Sequence, residues 1–222
     1  MSKVAVILSG CGFMDGSEIH ESICTLLALD KAGATYQCFA PDIAQHVTMN
    51  HLNKQEMNES RSVIVEAARI ARGNIKNIKT ANIDELDAAI FPGGFGAAGN
   101  LSDFARAGAK SSVQSDVLAF AKAMAEAHKP QGFICIAPVL ISNIYGKGVE
   151  LTIGNDKATA RAIEEMGGKH VNCSTTEIAV DKKHKVVSTP AYMLAKRISE
   201  VEQGVSKLVN AVLEMVKQPA TA

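Results

Sequence analysis

The sequence predicts an α/β fold built on a mainly parallel central sheet. Segments with the hydrophobic pattern of strands alternate along the chain with segments of helical periodicity. The first of them, Lys3–Ser9, is almost continuously apolar, as expected for a strand buried on both faces of a sheet. The 222 residues are 47% hydrophobic, which suffices for a sizeable core. We therefore expect one domain over residues 1–222.

The individual elements follow from the local patterns. Short β-branched runs predict strands at Lys3–Ser9, Thr35–Ala40, Asp87–Phe91, Gly132–Cys135, Glu150–Ile153, Glu177–Val180 and Val186–Ser188. Helical spacing predicts helices at Ser17–Lys31, Glu59–Arg72, Val113–His128 and Asp156–Met166, a short helix after Cys135, and a last helix from Ile198 to Val216. In the first helix we expect Ile19, Ile23 and Leu26 to share the buried face.

Two segments do not fit this alternation. Residues 41–58 are polar and longer than a normal connection between a strand and a helix. We interpret them as an insertion that forms a small hairpin and a dimer contact. Residues 218–222 are expected to be a frayed tail.

Composition excludes several classes of function. The 23 basic and 23 acidic residues give no net charge, which disfavours a nucleic-acid partner. No apolar stretch reaches the roughly 18 residues of a membrane-spanning helix. The five cysteines form no C-x-x-C pair and do not stand near histidine at zinc spacing, so we expect no metal site. Scattered thiols suit a reducing compartment, and we expect a cytoplasmic protein.

A glycine-rich turn follows the third predicted strand. Gly94 to Gly99 matches G-x-G-x-x-G, but it does not follow the first strand and opens no clear amphipathic helix, so we disfavour a dinucleotide site. The turn Pro92-Gly93-Gly94 can expose backbone N–H groups with no Cβ in the way, which would stabilise an oxyanion. A simple tight turn is the alternative.

Cys135 ends a predicted strand just before a short helix. This is the layout of a nucleophile elbow, in which a strained turn lifts the side chain above the sheet. A helix N-terminus beside the sulfur predicts a lowered thiol pKa. The usual elbow has small residues two positions before and two positions after the nucleophile. Ala137 fits this pattern and Phe133 does not. A buried core cysteine is the alternative interpretation.

Glu18 stands at the start of the first helix, on the same sheet edge as Cys135. With Asp15 it forms a D-x-x-E capping pattern, which is a structural role. A carboxyl held against a thiolate would also have a raised pKa and could act as acid and base in turn. His20 lies about 200° further round the helix, so we expect it at the surface or an interface.

The motifs together resemble a known family. The segments are VILSGCGFMDGSEIHE from Val6, CFAPD from Cys38, FPGGFGAAGNLS from Phe91, GFICIAP from Gly132, LTIG from Leu151 and TPAYMLA from Thr189. They are similar to the class I glutamine-amidotransferase-like superfamily in its PfpI/deglycase branch, and most to the ElbB group, also called enhancing lycopene biosynthesis or sigma cross-reacting proteins.

The resemblance implies a flavodoxin-like three-layer sandwich and a homodimer. It implies that Cys135 is the nucleophile, that Glu18 is its carboxyl partner, and that Gly94 and Ile136 lend N–H groups to an oxyanion. Cys11, Gly93, Asn100 and Thr189 are expected around the pocket.

The resemblance also implies an activity. The expected function is a slow, cofactor-independent glyoxalase, a lyase that turns glyoxal into glycolate without glutathione, with an accessory role in isoprenoid biosynthesis. No late H-x-E pair is present, which disfavours glutamine hydrolysis, and Ile136 stands where peptidase-like members carry histidine.

Two alternatives stay open. One is a redox-responsive protein in which Cys135 is oxidised, with Cys11 as a resolving thiol. The other is a structural partner protein with an unreactive Cys135.

Overall fold

The computed structural model describes residues 1–217, and the expected frayed tail 218–222 lies outside the described residues. The strands are β1 (Lys3–Ile7), β2 (Thr35–Ala40), β3 (Met49–Asn50), β4 (Gln55–Glu56), β5 (Ile75–Asn77), β6 (Ala88–Phe91), β7 (Gln131–Ile134), β8 (Glu150–Leu151), β9 (Lys169–His170), β10 (Ala179–Asp181) and β11 (Val186–Thr189). The helices are α1 (Ile19–Lys31), α2 (Val63–Ile70), α3 (Phe95–Gly99), α4 (Phe104–Ala107), α5 (Ser115–Glu126), α6 (Ile141–Tyr145), α7 (Lys157–Glu165) and α8 (Ile198–Lys217).

A seven-stranded sheet in the order β10-β11-β7-β6-β1-β2-β5 forms the centre of the described chain. Its neighbouring strands are parallel except for β10, which runs antiparallel to β11. The pairs β3–β4 and β8–β9 form two separate two-stranded sheets.

Helices cover both faces of the sheet. On β1, Val4 and Val6 belong to a core cluster shared with α1, α2 and α8. The alternate residues Ala5 and Ile7 belong to a second cluster shared with α5 and α6. Because successive side chains of a strand point to opposite faces, these two clusters are the two sides of one sheet. This confirms the predicted α/β class and the flavodoxin-like three-layer arrangement.

The carboxyl ends of four strands meet at one edge. From β1 the chain builds the sheet outward through β2 and β5, and it then returns to the other side of β1 to add β6, β7 and β11. The crevice between β1 and β6 is therefore a topological switch point, where ligands bind in open α/β sheets. The segments after β1, β6, β7 and β11 converge there.

Some sequence predictions differ from the structure. The edge strand β5 is not predicted, because it has three residues and two of them are polar. The buried face predicted for α1 is wrong in part: Leu26 is buried, but Ile19 and Ile23 are 41% and 45% exposed. The helix instead turns Glu21 and Thr25 towards the interior.

The segment 41–58 does contain a hairpin, formed by β3 and β4. Its contact with a second copy stays a prediction. Among residues 1–217, no helix has the length and apolar character needed to cross a bilayer.

Candidate active site

Cys135 sits at a strained bend directly after β7. Its φ angle is 63°, in the left-handed region that residues with a side chain rarely adopt. The backbone N–H of Cys135 donates to the carbonyl of Thr189, 2.9 Å away, which ties the bend to the end of β11. The side chain is only 7% exposed. This backbone geometry is the predicted elbow.

The carboxyl group in contact with this thiol belongs to Glu21. Glu21 lies in the first turn of α1, is fully buried and hydrogen-bonds with the side chain of Cys135. Its Oε2 accepts from the N–H of Gly93 at 2.9 Å, and its Oε1 accepts from the N–H of Tyr192 at 3.2 Å. Three strand ends therefore hold this carboxyl group in place.

Glu18, which the sequence predicts as the partner, has a different position. It is the N-cap of α1, and its Oε2 accepts from the N–H of Glu21 at 2.7 Å. Its own N–H donates to the carbonyl of Gly93 at 2.9 Å. Glu18 lines the pocket in front of Cys135, whereas Glu21, one turn further along the helix, reaches the sulfur. The structure thus assigns the contact with the thiol to Glu21.

Sequence reasoning missed Glu21, although a signal was present. Glu21, Thr25 and Ala28 follow one another at helical spacing and all three are buried. A glutamate in phase with small residues on the buried face of a helix marks a site, because an unpaired buried charge is costly. The prediction relied instead on the more familiar capping pattern.

Burial raises the pKa of Glu21 to about 8, and the negative charge of Glu18 adds to this effect. The N–H groups of Tyr192 and Gly93 act in the opposite direction, because they stabilise the carboxylate. Glu21 is therefore mostly protonated at neutral pH.

Burial also raises the pKa of the Cys135 thiol well above its usual range, and the charge of Glu21 raises it further. The predicted lowering is wrong in direction. A 3-10 turn, Ala137–Leu140, leads from the elbow into the short helix α6, and whatever favours the anion there does not offset burial. The N–H groups of Gly94 and Ile136 hydrogen-bond to the sulfur and stabilise its anion.

Gly93 and Gly94 let the Cys135 thiol, the Glu21 carboxyl group and the backbone before α1 approach one another. A Cβ on Gly93 would lie 2.6 Å from Oε2 of Glu21 and would collide with Cys135. Gly94 has a φ of 93°, and a Cβ there would collide with the backbone before α1. Gly93 and Gly94, the first glycine of the G-x-G-x-x-G match, thus serve close packing around the thiol.

The other expected pocket residues do not line the same pocket. Asn100 is a buried anchor: its Nδ2 donates to the carbonyls of Ser9 and Asp15 at 2.9 and 2.8 Å. Thr189 is buried, and its hydroxyl donates to the carbonyl of Glu177 at 2.9 Å. Cys11 is half-buried, and burial together with the charge of Glu66 raises its pKa.

A pocket of about 470 Å³ opens in front of the sulfur. Its walls are mostly apolar, and they include Phe13, Phe95, Phe104, Tyr192, Met193 and Ala98. His20 is exposed, and its Nδ1 is 2.7 Å from the hydroxyl of Tyr192, a residue of the pocket wall. Within residues 1–217, no histidine hydrogen-bonds to Cys135 or Glu21.

Comparisons with individual proteins show the family of this chain, although no model of a protein family matches it. Two curated relatives are each 43% identical over 224 aligned residues, covering 96% of this chain: the rat "ES1 protein homolog, mitochondrial" and the human "Glutamine amidotransferase-like class 1 domain-containing protein 3, mitochondrial". The chain covers 84% of the rat protein and 83% of the human protein.

Two solved structures are also similar. An isoprenoid biosynthesis protein with an amidotransferase-like domain from Ehrlichia chaffeensis has a TM-score of 0.91 at 33% identity, over 98% of this chain and all of that one. Glyoxalase III from Candida albicans has a TM-score of 0.63 at 13% identity, over 96% of this chain and 97% of that one. At this low identity the comparison shows only that the two proteins share a fold.

The names of the relatives correct one expectation. The rat and human proteins, and a zebrafish ES1 protein at 30% identity, are all named as mitochondrial. The predicted cytoplasmic location is therefore wrong by this comparison.

The family resemblance predicted from the motifs is confirmed. Identity of 43% along almost the whole chain, together with an amidotransferase-like structure at a TM-score of 0.91, leads to one assignment. The chain belongs to the ES1 family of class I glutamine-amidotransferase-like proteins, which shares its fold with the ElbB and PfpI groups.

Proposed function

We propose that this protein is a cofactor-independent glyoxalase that converts glyoxal and water into glycolate. One observation carries the proposal: the Cys135 sulfur meets the buried carboxyl of Glu21 and two backbone N–H groups at the base of a pocket. A nucleophile, a proton acceptor and an anion-stabilising pair are the parts that addition to an aldehyde requires. An accessory role in isoprenoid biosynthesis belongs to the same proposal and is supported by the description of the Ehrlichia protein.

The first step is addition of the thiol to one aldehyde carbon. Glu21 and Cys135 titrate as a unit, and the reactive form has lost one proton from the pair. The Glu21 carboxylate takes the proton of the thiol while the sulfur forms a bond to the carbonyl carbon. The N–H groups of Gly94 and Ile136, which point at the sulfur, stabilise the new alkoxide. The alkoxide then takes this proton back from Glu21 and becomes the hydroxyl of a hemithioacetal, which restores the Glu21 carboxylate.

The second step moves a proton between the two carbons of the substrate. Glu18 lines the pocket, and we assign to it removal of the C–H proton of the hemithioacetal, which leaves an enediolate. Glu18 then returns this proton to the neighbouring carbon, while the hydroxyl proton on the sulfur-bearing carbon moves to the oxygen of the neighbouring carbon. The product is a thioester of glycolate on Cys135. Water then cleaves the thioester, which releases glycolate and restores the thiol. Since the thiol has a raised pKa and no histidine assists it, we expect slow turnover.

The two carboxyl groups can be separated experimentally. Turnover is measured as glycolate formed from glyoxal, and the reactivity of Cys135 is measured as alkylation by iodoacetamide. We expect Cys135→Ser to abolish turnover, and both Glu21→Gln and Glu18→Gln to lower it at least about 100-fold. Glu18→Gln should leave Cys135 open to alkylation, because Glu18 does not contact the sulfur.

A matched control is Glu214→Gln, at an exposed position on α8. It should change neither the rate of glycolate formation nor the alkylation of Cys135. Turnover by folded Cys135→Ser at the wild-type rate would refute the proposal. Full turnover by Glu18→Gln would refute the role of Glu18 alone.

A redox-responsive protein is the second proposal. The two N–H groups and the Glu21 carboxyl, all in contact with the sulfur, could also hold the oxygen atoms of an oxidised cysteine. The raised pKa of Cys135 argues against it, because the thiolate is the form that reacts with peroxide. Mass spectrometry after mild peroxide decides: oxidation of Cys135 or a disulfide with Cys11, without glyoxal turnover, would favour this second function.

A further inference from the structure

We infer that the natural substrate of this site is a neutral 2-oxoaldehyde carrying an apolar group about the size of a phenyl ring, and that glyoxal is a poor fit. The inference rests on the proposed function and adds the substrate class. Three features of the pocket support it: its size, its aromatic walls and its charge.

The pocket is far larger than glyoxal. Its volume is about 470 Å³, within the range of roughly 300–1,000 Å³ typical of sites for drug-sized ligands. Glyoxal has four non-hydrogen atoms and occupies the space of a few water molecules, roughly 100 Å³ at about 30 Å³ per water. A site that held only glyoxal would leave most of this volume to water, and water would compete with the thiol for the aldehyde.

The walls of the pocket gather four aromatic side chains in a chain that is poor in aromatic residues. The chain has seven Phe, three Tyr and no Trp, and four of these ten residues line this one pocket. We call them the aromatic wall: Phe13, Phe95, Phe104 and Tyr192. Phe13 and Phe95 are 47% and 55% exposed, although large aromatic side chains are normally buried. An apolar ligand would cover them, which gives these exposed rings a function.

The charge of the pocket excludes an anionic tail. Glu18 faces the pocket, and no lysine or arginine of the described chain lines it. A carboxylate or phosphate on the far end of the substrate would lose its water shell without gaining a cationic partner. A neutral apolar group meets no such cost.

The experiment compares substrates that share the reacting aldehyde. The protein is assayed with glyoxal, with phenylglyoxal and with 4-carboxyphenylglyoxal, and the products glycolate, mandelate and carboxymandelate are measured as initial rates. We expect kcat/KM for phenylglyoxal to exceed that for glyoxal at least about tenfold. The carboxylated compound should be at least about tenfold worse than phenylglyoxal.

A variant of the pocket wall supplies the structural test. Ala105 lies on α4, is exposed and lines the pocket, so Ala105→Phe should narrow the pocket without disturbing the core. We expect it to lower the ratio of phenylglyoxal to glyoxal kcat/KM at least about tenfold. Ala127→Phe, at an exposed alanine beyond α5, should leave the ratio unchanged. A wild-type ratio of one or less, or a ratio unaffected by Ala105→Phe, would overturn the inference.

Alkylation separates this inference from the proposed function. Iodoacetamide and N-benzyliodoacetamide carry the same reactive group and need only the thiol. We expect the benzyl compound to alkylate Cys135 at least about tenfold faster, and Ala105→Phe to remove this advantage. If no dicarbonyl is turned over, the proposed function fails, and the alkylation ratio still decides whether the pocket favours a ligand with an apolar group. Equal rates of alkylation would then refute the apolar pocket.

Discussion

Replacing Glu21 by Gln should stabilise the protein above neutral pH while removing its activity. Gln has nearly the same volume, and its oxygen can still accept from the N–H of Gly93 or of Tyr192. It cannot ionise. The substitution therefore isolates the cost of holding a carboxylate in a fully buried position beside Cys135.

The magnitude follows from the pKa of Glu21. The ordinary value is 4.5, and burial with the charge of Glu18 raises the pKa to about 8 in the folded protein. A raised pKa in the folded state means that this contribution to stability is fully present below about pH 4.5 and is lost as the pH rises through about 8. At about 1.4 kcal/mol per pKa unit, the loss amounts to about 5 kcal/mol. The glutamine variant has no such loss.

Urea unfolding between pH 5 and pH 9 measures this effect. We expect the free energy of unfolding of the wild type to fall across this range by several kcal/mol more than that of Glu21→Gln. At pH 9 the variant should be more stable by about 2–5 kcal/mol, and its Tm should be higher by roughly 5–15 °C. Glu214→Gln, at an exposed position, should follow the wild type. A variant that runs parallel to the wild type at every pH would refute the assignment of Glu21 as a buried, protonated carboxyl.

Three further substitutions test the packing of the site. Gly93→Ala would place a Cβ 2.6 Å from Oε2 of Glu21. Because this contact is too close, glyoxal turnover should fall at least about tenfold and the Tm should fall by several degrees. An unchanged Tm and turnover rate would contradict this geometry. Glu18→Gln removes a charge that raises the pKa of Glu21, so the pH midpoint of Cys135 alkylation should move below the wild-type value. Asn100→Ala removes three hydrogen bonds and should cost about 2–4 kcal/mol in urea unfolding, while the preference between glyoxal and phenylglyoxal stays unchanged, because Asn100 lies outside the pocket.

The central strands β1, β6 and β7 could be predicted because they are buried on both faces, and β2 because half of it is buried. Thr35–Ala40 was predicted with the bounds that β2 has, and the predicted Asp87–Phe91 differs from β6 by one residue. The strand β5 could not be predicted, since it pairs only at the edge of the sheet and contains Lys76 and Asn77. For such a strand the tertiary pairing, rather than local propensity, decides the structure.

The orientation of α1 illustrates a different failure. The apolar residues Ile19 and Ile23 suggested one buried face, yet the structure exposes them and buries Glu21. A helix that supplies a polar group to a site turns polar residues inward, so hydrophobic periodicity points to the wrong side.

The parts of the site that depend on backbone were predictable. The elbow at Cys135 follows from a strand end, and exposed N–H groups in the turn Pro92-Gly93-Gly94 follow from its glycines, whereas the family resemblance implied the N–H groups of Gly94 and Ile136. The choice between two glutamates three residues apart was not, because the capping pattern gives Glu18 a structural reason to stand where it does. The direction of the thiol pKa also needed the structure, since it depends on burial and on the charge of Glu21.

The central claim is that Cys135 and Glu21 share their protons as one buried unit, and the pH dependence of Cys135 alkylation by iodoacetamide tests it most directly. The account predicts that the wild-type rate rises with a midpoint near 8, the pKa of Glu21, and that Glu21→Gln loses this step. The same midpoint in both proteins would contradict the account, because Cys135 would then ionise independently of the carboxyl beside it.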